Sequence, residues 1–226
     1  MIFALDVPDV GAAQALVERL GDSVRFYKIG LELAMSGRYF DLMRWLLDRD
    51  KKVFADLKLY DIPATVGAAV RQLARCGASF LTVHGDPGSM RAAAAEKGPE
   101  LRVLVVTVLT SIGPDELKEM GIERDLTSLV ELRARQAVAA GCDGVIASGQ
   151  EAQRLRAVLG SGPLIVTPGI RPLGDAGADD QRRVVTPARA FQSGADYIVV
   201  GRPIRDAVDP RAAATAIQAE IAAVVG

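Results

Sequence analysis

The sequence has few of the residues on which disulfide frameworks, metal clusters and nucleophilic triads depend. It contains two cysteines and one histidine in 226 residues. A His/Cys metal cluster, or a Ser or Cys nucleophile with a histidine partner, is therefore not expected. Cys76 and Cys142 each stand beside a glycine in an alanine-rich stretch, a pattern that predicts small, buried and reduced side chains.

Long apolar runs and an excess of one charge are also absent. No hydrophobic stretch approaches the roughly 18 residues that a membrane-spanning helix needs, and the N-terminus lacks the basic region of a signal peptide. The 27 basic and 28 acidic residues nearly cancel, so no global attraction to nucleic acid or membranes is expected. We therefore expect a soluble, cytoplasmic protein that binds an anionic ligand only through a local cationic site.

What the chain does contain is a regular alternation of short apolar runs and longer amphipathic runs. The short runs are almost continuous in apolar residues, which is typical of parallel strands covered on both faces. The predicted strands are Ile2–Val7, Arg25–Gly30, Val53–Leu59, Phe80–Gly85, Arg102–Leu109, Gly144–Ser148, Leu164–Ile170 and Tyr197–Gly201. The predicted helices are Gly11–Leu20, Tyr39–Arg49, Ala64–Arg75, Ser89–Glu96, Pro114–Met120, Leu126–Ala140, Gln150–Leu159, Pro187–Gln192 and about Pro210–Val225.

This alternation predicts an α/β protein with one domain, a (β/α)₈ barrel over residues 1–226. A doubly wound open sheet is the alternative, but it would need a glycine-rich turn after an early strand, and Asp6-Val-Pro-Asp9 is not one. The Gly- and Asp-rich segment Pro172–Arg183 follows strand seven, on the face that carries active sites in barrels. We expect it to form a mobile lid.

Charged residues collect at the carboxyl ends of the first three predicted strands. These are Asp6, Lys28, Asp56 and Lys58, with Asp61 just beyond. Asp56 and Lys58 are two residues apart, so a regular strand would direct both side chains into the barrel. Asp61 is a candidate cap for the helix near Pro63. The set can be a structural ion-pair network, or a lysine held protonated there can stabilise a carbanion and protonate it.

A second cluster follows strands seven and eight, where barrels often bind phosphate. Each strand ends in Gly-x-Arg or Gly-Arg, with Gly169 and Arg171 on one and Gly201 and Arg202 on the other. The glycines allow close backbone approach, and the arginines supply charge and forked donors. Gln181 is a candidate for closing over the phosphate. His84, at the end of strand four, is interpreted as a rim residue.

The ordered set of these motifs resembles the orotidine 5′-phosphate decarboxylase family, in its compact bacterial form. The resemblance covers essentially the whole chain, and its most specific part is Asp-x-Lys-x-x-Asp at Asp56–Asp61. The matching segments are Ala4-Leu-Asp6, Lys28-Ile-Gly30, Asp56–Pro63, Val83-His-Gly85, Val106–Ser111, Thr167–Pro172, Asp180–Arg183 and Val200–Pro203.

The resemblance implies decarboxylation of orotidine 5′-phosphate to uridine 5′-phosphate, in pyrimidine biosynthesis, with no cofactor and no metal. It implies that Lys58 protonates the pyrimidine carbon, that Asp56 presses against the departing carboxylate, and that Lys28 and Asp61 complete the charged chain. Further substrate contacts implied by the resemblance are Asp6 and Lys28 to the ribose, Thr110 to the pyrimidine, and Arg171, Gln181, Gly201 and Arg202 to the phosphate. It also implies a homodimer in which Asp61, Ile62 and Thr65 enter the neighbouring subunit's active site.

Two other functions remain open on the sequence. Magnesium-dependent relatives of the same superfamily, such as 3-keto-gulonate 6-phosphate decarboxylase or hexulose-phosphate synthase, share the Asp-x-Lys-x-x-Asp pattern. They characteristically carry an acidic residue where this chain has Lys28. A non-catalytic barrel that binds a phosphate ligand would keep Arg171 and Arg202 but would have no need of Asp56, Lys58 and Asp61.

Overall fold

The computed structural model describes residues 1–172 and 183–225. Their eight parallel strands close into a barrel in sequence order, with β1 beside both β2 and β8. The strands are β1 (Ile2–Ala4), β2 (Phe26–Ile29), β3 (Lys52–Leu59), β4 (Phe80–His84), β5 (Arg102–Val106), β6 (Gly144–Ile146), β7 (Leu164–Thr167) and β8 (Tyr197–Val200). The predicted (β/α)₈ barrel is confirmed, and the open-sheet alternative is wrong.

Helices follow the strands and pack around the barrel. They are α1 (Val10–Leu20), α2 (Leu31–Met35), α3 (Tyr39–Leu47), α4 (Pro63–Arg75), α5 (Pro87–Glu96), α6 (Pro114–Glu119), α7 (Leu126–Ala139), α8 (Ala152–Leu159), α9 (Pro187–Gln192), α10 (Arg202–Arg205) and α11 (Pro210–Val225). A 3₁₀ turn, Gly21–Ser23, follows α1. No helix in the described ranges is long and apolar enough to cross a membrane.

The hydrophobic core has two parts. The larger part lies between the outer faces of the strands and the helices, where Leu57 and Leu59 of β3 also pack. The smaller part fills the barrel interior with one or two side chains from each of the eight strands. Phe26, Phe54, Phe80 and Tyr197 meet there in edge-to-face contacts, which favour aromatic packing. These apolar side chains fill the barrel interior below the carboxyl ends of the strands. The polar groups lie above them, at those strand ends.

Several predicted boundaries were wrong in the same direction. Most predicted strands run one to three residues too far at the carboxyl end; β1, for example, ends at Ala4 and not at Val7. The apolar residues that follow these strands belong to the loops around the barrel rim, where they stay buried. The short helices α2 and α10 were not predicted. Cys142 is buried as expected, but Cys76 is exposed, because it ends α4 at the barrel surface.

Candidate active site

A cavity of about 330 Å³ opens at the carboxyl ends of the strands. Its wall combines charged side chains from β2, β3 and the loop after β1 with the end of β6 and the loops that follow β5, β7 and β8. The predicted site residues that line it are Asp6, Lys28, Asp56, Lys58, Thr110, Arg171, Gly201 and Arg202. The sequence therefore located the cavity correctly, although it is assembled from seven separate segments of the chain.

Four of these residues form a continuous array of alternating charge, which we call the charged array: Asp6, Lys28, Asp56 and Lys58. The Lys28 Nζ lies 3.0 Å from Asp6 Oδ1 and 3.4 Å from Asp56 Oδ2. The Lys58 Nζ lies 2.9 Å from the other oxygen of Asp56, Oδ1. Asp56 therefore bridges the two ammonium groups, and each of its oxygens faces a different lysine.

Burial makes these ion pairs electrostatically significant. The side chains of Lys28 and Asp56 are each 12% exposed, so water screens them weakly. Burial alone would raise the pKa of Asp56, but Lys28, Lys58 and hydrogen bonds from Lys58 and Thr82 hold that pKa below its usual range. Burial likewise opposes the charge of Lys28, yet Asp56 and Asp6 hold the pKa of Lys28 above its usual range. Both groups are thus charged at neutral pH.

Strand β3 reaches this geometry through an irregularity. Ala55 pairs with Leu81 and Leu59 with Val83, so four residues of β3 advance against two of β4. Within this bulge Lys58 adopts φ +49°, a left-handed conformation that non-glycine residues rarely take. The prediction that Asp56 and Lys58 share a cavity is confirmed, but the regular alternation on which it rested was wrong at Lys58.

The part of the cavity wall that follows β7 and β8 is cationic, and we call it the arginine end: Arg171, Arg202 and Arg205, with Gly169 and Gly201. Gly169 has φ +75°, a conformation that favours glycine. At Gly201 an added Cβ would lie 3.4 Å from the Ala4 Cβ. These glycines keep the backbone close to the cavity, and the arginines supply charge and planar donors suited to a phosphate.

The loop after β5 forms a third part of the wall. Thr110 is 9% exposed and lines the cavity with Ser111. Arg183, which is also buried, donates to the carbonyl oxygens of Val108 and Leu109 at 3.2 and 3.0 Å. It pairs with Glu151 as well. Arg183 thereby fastens this loop to the segment that follows β6.

The remaining predicted site residues lie elsewhere. Asp61, Ile62 and Thr65 are exposed and lie outside the cavity of their own chain. The predicted capping role of Asp61 was wrong, because α4 begins after Ile62 with no side-chain cap, and Asp61 Oδ1 accepts from the Ile62 amide instead. Gln181 and the predicted lid fall largely at residues 173–182, outside the described residues.

His84 lies beside the site but does not line it. Its ring centroid is 5.6 Å from that of Tyr60. Burial, followed by the charges of Arg133 and Lys58, lowers the pKa of His84, so the imidazole is neutral at pH 7. This placement matches the interpretation of His84 as a rim residue. Within the described ranges, no three His, Cys, Asp or Glu side chains are grouped to hold a metal ion.

Sequence reasoning missed two polar residues that the structure places at the site. Arg205 lines the cavity and donates to the backbone oxygen of Asp6 at 3.0 Å. Arg205 stands three residues after Arg202. This spacing would have indicated that both side chains face the cavity only if the short helix α10 had been predicted. Thr82 contacts Asp56 from the middle of β4. The only indication of this contact in the sequence was that Thr82 is a polar residue within an apolar strand.

Comparison with known proteins agrees with this site. Residues 1–217 match the model of the orotidine 5′-phosphate decarboxylase / HUMPS family. The chain is 56% identical to the orotidine 5′-phosphate decarboxylase of Methylococcus capsulatus over 98% of this chain and 91% of that protein. It is 57% identical to the enzyme of the same name from Stenotrophomonas maltophilia, over 98% and 92%.

Solved structures give the same result. The crystal structure of orotidine 5′-phosphate decarboxylase from Lactobacillus acidophilus superimposes with a TM-score of 0.86, at 36% identity and over 98% of both chains. That of the Pyrococcus horikoshii enzyme superimposes with a TM-score of 0.79, at 28% identity and over 98% of this chain and 99% of that one. The chain therefore belongs to the orotidine 5′-phosphate decarboxylase / HUMPS family.

Proposed function

We propose that this protein converts orotidine 5′-phosphate to uridine 5′-phosphate and carbon dioxide, using neither a metal ion nor an organic cofactor. The observation that carries the proposal is the charged array, which shares one cavity with the arginine end. Relatives 56–57% identical over almost the whole chain are named for this activity. The reaction belongs to pyrimidine biosynthesis, and the cytoplasm is the compartment we propose for it.

The chemistry requires a stabilised carbanion and a proton. The bond from the pyrimidine ring to its carboxylate breaks, its electron pair stays on the ring carbon, and carbon dioxide leaves. The ammonium of Lys58 stabilises that electron pair as it develops and then donates a proton to the carbon, forming the new C–H bond. Lys58 is left neutral and regains a proton from water.

Asp56 acts on the substrate before the bond breaks. It is buried, ionised and held by Lys28, Lys58 and Thr82, so it cannot easily turn away from a second carboxylate. Repulsion between Asp56 and the substrate carboxylate disappears when carbon dioxide leaves, which lowers the barrier by raising the energy of the bound substrate. The ion pair with Lys28 keeps Asp56 charged during this step.

The rest of the cavity binds the nucleotide. We propose that Asp6 and Lys28 contact the ribose hydroxyls and that Thr110 contacts the pyrimidine edge. Arg171, Gly201 and Arg202 would hold the phosphate, together with Gln181 from the segment outside the described residues. The distribution of charge supports this orientation, because a dianionic phosphate is favoured at the arginine end and disfavoured beside Asp56.

A homodimer completes the proposed site. Asp61, Ile62 and Thr65 would enter the active site of a second copy, and Asp61 would extend the charged array there. Large apolar side chains support an interface in this region, since Ile62 is 67% exposed and Tyr60 beside it 71%. Leu31, Met35 and Phe40, from the segments after β2, are also more than half exposed. Exposed apolar groups of this size mark interaction surfaces.

The magnesium-dependent reaction of other superfamily members is disfavoured by Lys28. Its ammonium lies between the carboxylates of Asp6 and Asp56, where a divalent cation would otherwise find two ligands. A metal bound there would have to displace or repel a buried positive charge. The non-catalytic alternative is disfavoured because phosphate binding gives no reason to bury Asp56 between two lysines.

The test is a spectrophotometric assay of purified protein with orotidine 5′-phosphate in excess EDTA. We expect full turnover, equal to that without chelator. As controls, the same preparation receives sugar phosphates with and without magnesium. Turnover of a sugar phosphate that needs magnesium would replace the proposal with the rival activity. Tight binding of uridine 5′-phosphate without any turnover of orotidine 5′-phosphate would support the non-catalytic barrel.

A further inference from the structure

Thr82 occupies a position from which one hydroxyl contacts both halves of the Asp56–Lys58 pair. It lies in the middle of β4 and is 0% exposed. Its Oγ1 lies 2.8 Å from Asp56 Oδ1 and 3.0 Å from the backbone nitrogen of Lys58. It does not line the cavity, so any effect it has on the reaction is transmitted through other residues.

The chemistry of the three groups fixes the direction of both hydrogen bonds. A backbone N–H can only donate and an ionised carboxylate can only accept. The Thr82 hydroxyl therefore accepts from the Lys58 amide and donates to Asp56. Because both directions are set, the hydroxyl has a single orientation, and it couples the backbone of Lys58 to the carboxylate that its own ammonium contacts.

The contact with the amide compensates for the irregularity in β3. The bulge between Ala55 and Leu59 interrupts the regular ladder with β4, and an interior amide without a partner is costly. The Thr82 hydroxyl supplies that partner from β4 itself. It thereby stabilises the left-handed conformation of Lys58, φ +49°, which is sterically unfavourable for a residue with a Cβ.

The contact with the carboxylate sets the position of the Lys58 ammonium. Asp56 Oδ1 accepts from Thr82 and lies 2.9 Å from Lys58 Nζ, so one oxygen receives both donors. Oδ2 faces Lys28 at 3.4 Å. Without the hydroxyl, the carboxylate could rotate between the two lysines, and the backbone of Lys58 could relax. Both changes would move Nζ.

We infer that Thr82 is a positioning residue for the proton donor, whose hydroxyl fixes the backbone of Lys58 and the carboxylate of Asp56 together. The inference rests on the proposed function, since it concerns the lysine that protonates the product. A displacement of about 1 Å in a catalytic group can cost about 100-fold in rate. Because Thr82 lies outside the cavity, its loss should lower kcat and leave substrate affinity nearly unchanged.

The test compares Thr82→Val, which removes the hydroxyl with little change in shape, with Thr82→Ser, which keeps it. We expect Thr82→Val to lower kcat by about 100-fold with KM within about 3-fold, and Thr82→Ser to retain kcat within about 3-fold. Thr107→Val is the matched control. Thr107 is 0% exposed and its hydroxyl donates to the Ile146 carbonyl at 2.9 Å, but it has no contact with the charged array in the described structure.

Equal kcat losses in Thr82→Val and Thr107→Val, or in Thr82→Val and Thr82→Ser, would overturn the inference, because they would indicate a general structural role. If Thr82→Val does not fold, Thr82→Ser and Thr82→Ala give the same comparison without a methyl group beside the carboxylate. Wild-type turnover in the same assay reports on the proposed function separately.

A readout that does not depend on activity is hydrogen exchange at the Lys58 amide. We expect protection in the wild type and in Thr82→Ser, and exchange at least about 10-fold faster in Thr82→Val. Unchanged protection in Thr82→Val would show that the hydroxyl does not hold this amide, and would overturn the inference even in a protein without turnover.

Discussion

The two sides of the cavity are built on different principles. In the charged array, two carboxylates and two ammonium groups alternate, and each neighbouring pair lies within 3.4 Å. The formal charges therefore cancel, and each group holds the next. The arginine end carries three cationic side chains among glycines. The first arrangement fixes a few atoms in place, whereas the second provides an electric field and donors for an anion. We therefore assign the reaction to the array and affinity to the arginine end.

The largest expected effect is that of Lys58→Ala. Removing the proton donor and the cation beside the developing carbanion should lower kcat by about 10,000-fold. Affinity for uridine 5′-phosphate, measured by calorimetry, should change by less than about 5-fold. Lys97→Ala is the control, since Lys97 pairs with Asp143 at the other end of the barrel and should leave kcat unchanged. A comparable loss in both variants would contradict the assignment.

The next largest effect is expected at the arginine end. Arg202→Ala should lower kcat/KM by about 100-fold, mainly by raising KM, because a charge-assisted hydrogen bond is worth roughly 1.5–3 kcal/mol. Arg202→Lys keeps the charge but loses the planar fork, so its KM should lie between those of the wild type and Arg202→Ala. Steady-state kinetics measure all three. A loss confined to kcat would contradict the assignment of affinity to the arginine end and of the reaction to the charged array.

The charged array and the arginine end should also differ in how they affect the pH dependence of stability. Since the folded protein holds the pKa of Asp56 below its usual range, the charged array contributes stability above the pKa of an unfolded aspartate, about 3.9. That contribution is lost as the pH falls through the lower, folded pKa. Urea unfolding from pH 2 to 7 should therefore show a weaker acid dependence in Asp56→Asn than in the wild type. Arg202→Ala should keep the wild-type dependence, and equal profiles for all three proteins would contradict this account.

The smallest effect is expected from Gly169→Ala. At φ +75° a Cβ costs roughly 1–2 kcal/mol, and the strain falls on the backbone two residues before Arg171. We expect the free energy of unfolding to fall by about 1 kcal/mol and KM to rise by about 3-fold, with kcat unchanged. Chemical denaturation and steady-state kinetics check both values. A large fall in kcat would show that the arginine end also positions the reacting atoms.

The sequence predicted the fold and most of the cavity because both depend on strong local patterns. Nearly continuous apolar runs mark parallel strands, and charges such as Asp56 and Lys58 are improbable inside a barrel unless they are satisfied. Closure of the barrel then brings the strand ends together. Apart from Arg205, the charged residues that line the cavity could be predicted from their positions at the strand ends without knowledge of any tertiary contact.

The parts that could not be predicted depend on contacts between segments. The left-handed conformation of Lys58 is accompanied by a hydrogen bond to the Thr82 hydroxyl of the neighbouring strand, which the pattern around Lys58 does not reveal. Strand ends were extended too far because the apolar residues of the rim loops resemble strand residues. The exposure of Asp61 follows from the start of α4 at Pro63, and the partner that we propose for it belongs to a second copy.

The most direct test of the division between the two sides is turnover of orotidine, the same substrate without its phosphate, by Lys58→Ala and Arg202→Ala. Lys58→Ala should lower the turnover of orotidine by about the same factor as that of orotidine 5′-phosphate. Arg202→Ala should process orotidine at the wild-type rate. An Arg202→Ala defect that persists without the phosphate, or a Lys58→Ala defect that disappears, would contradict the account.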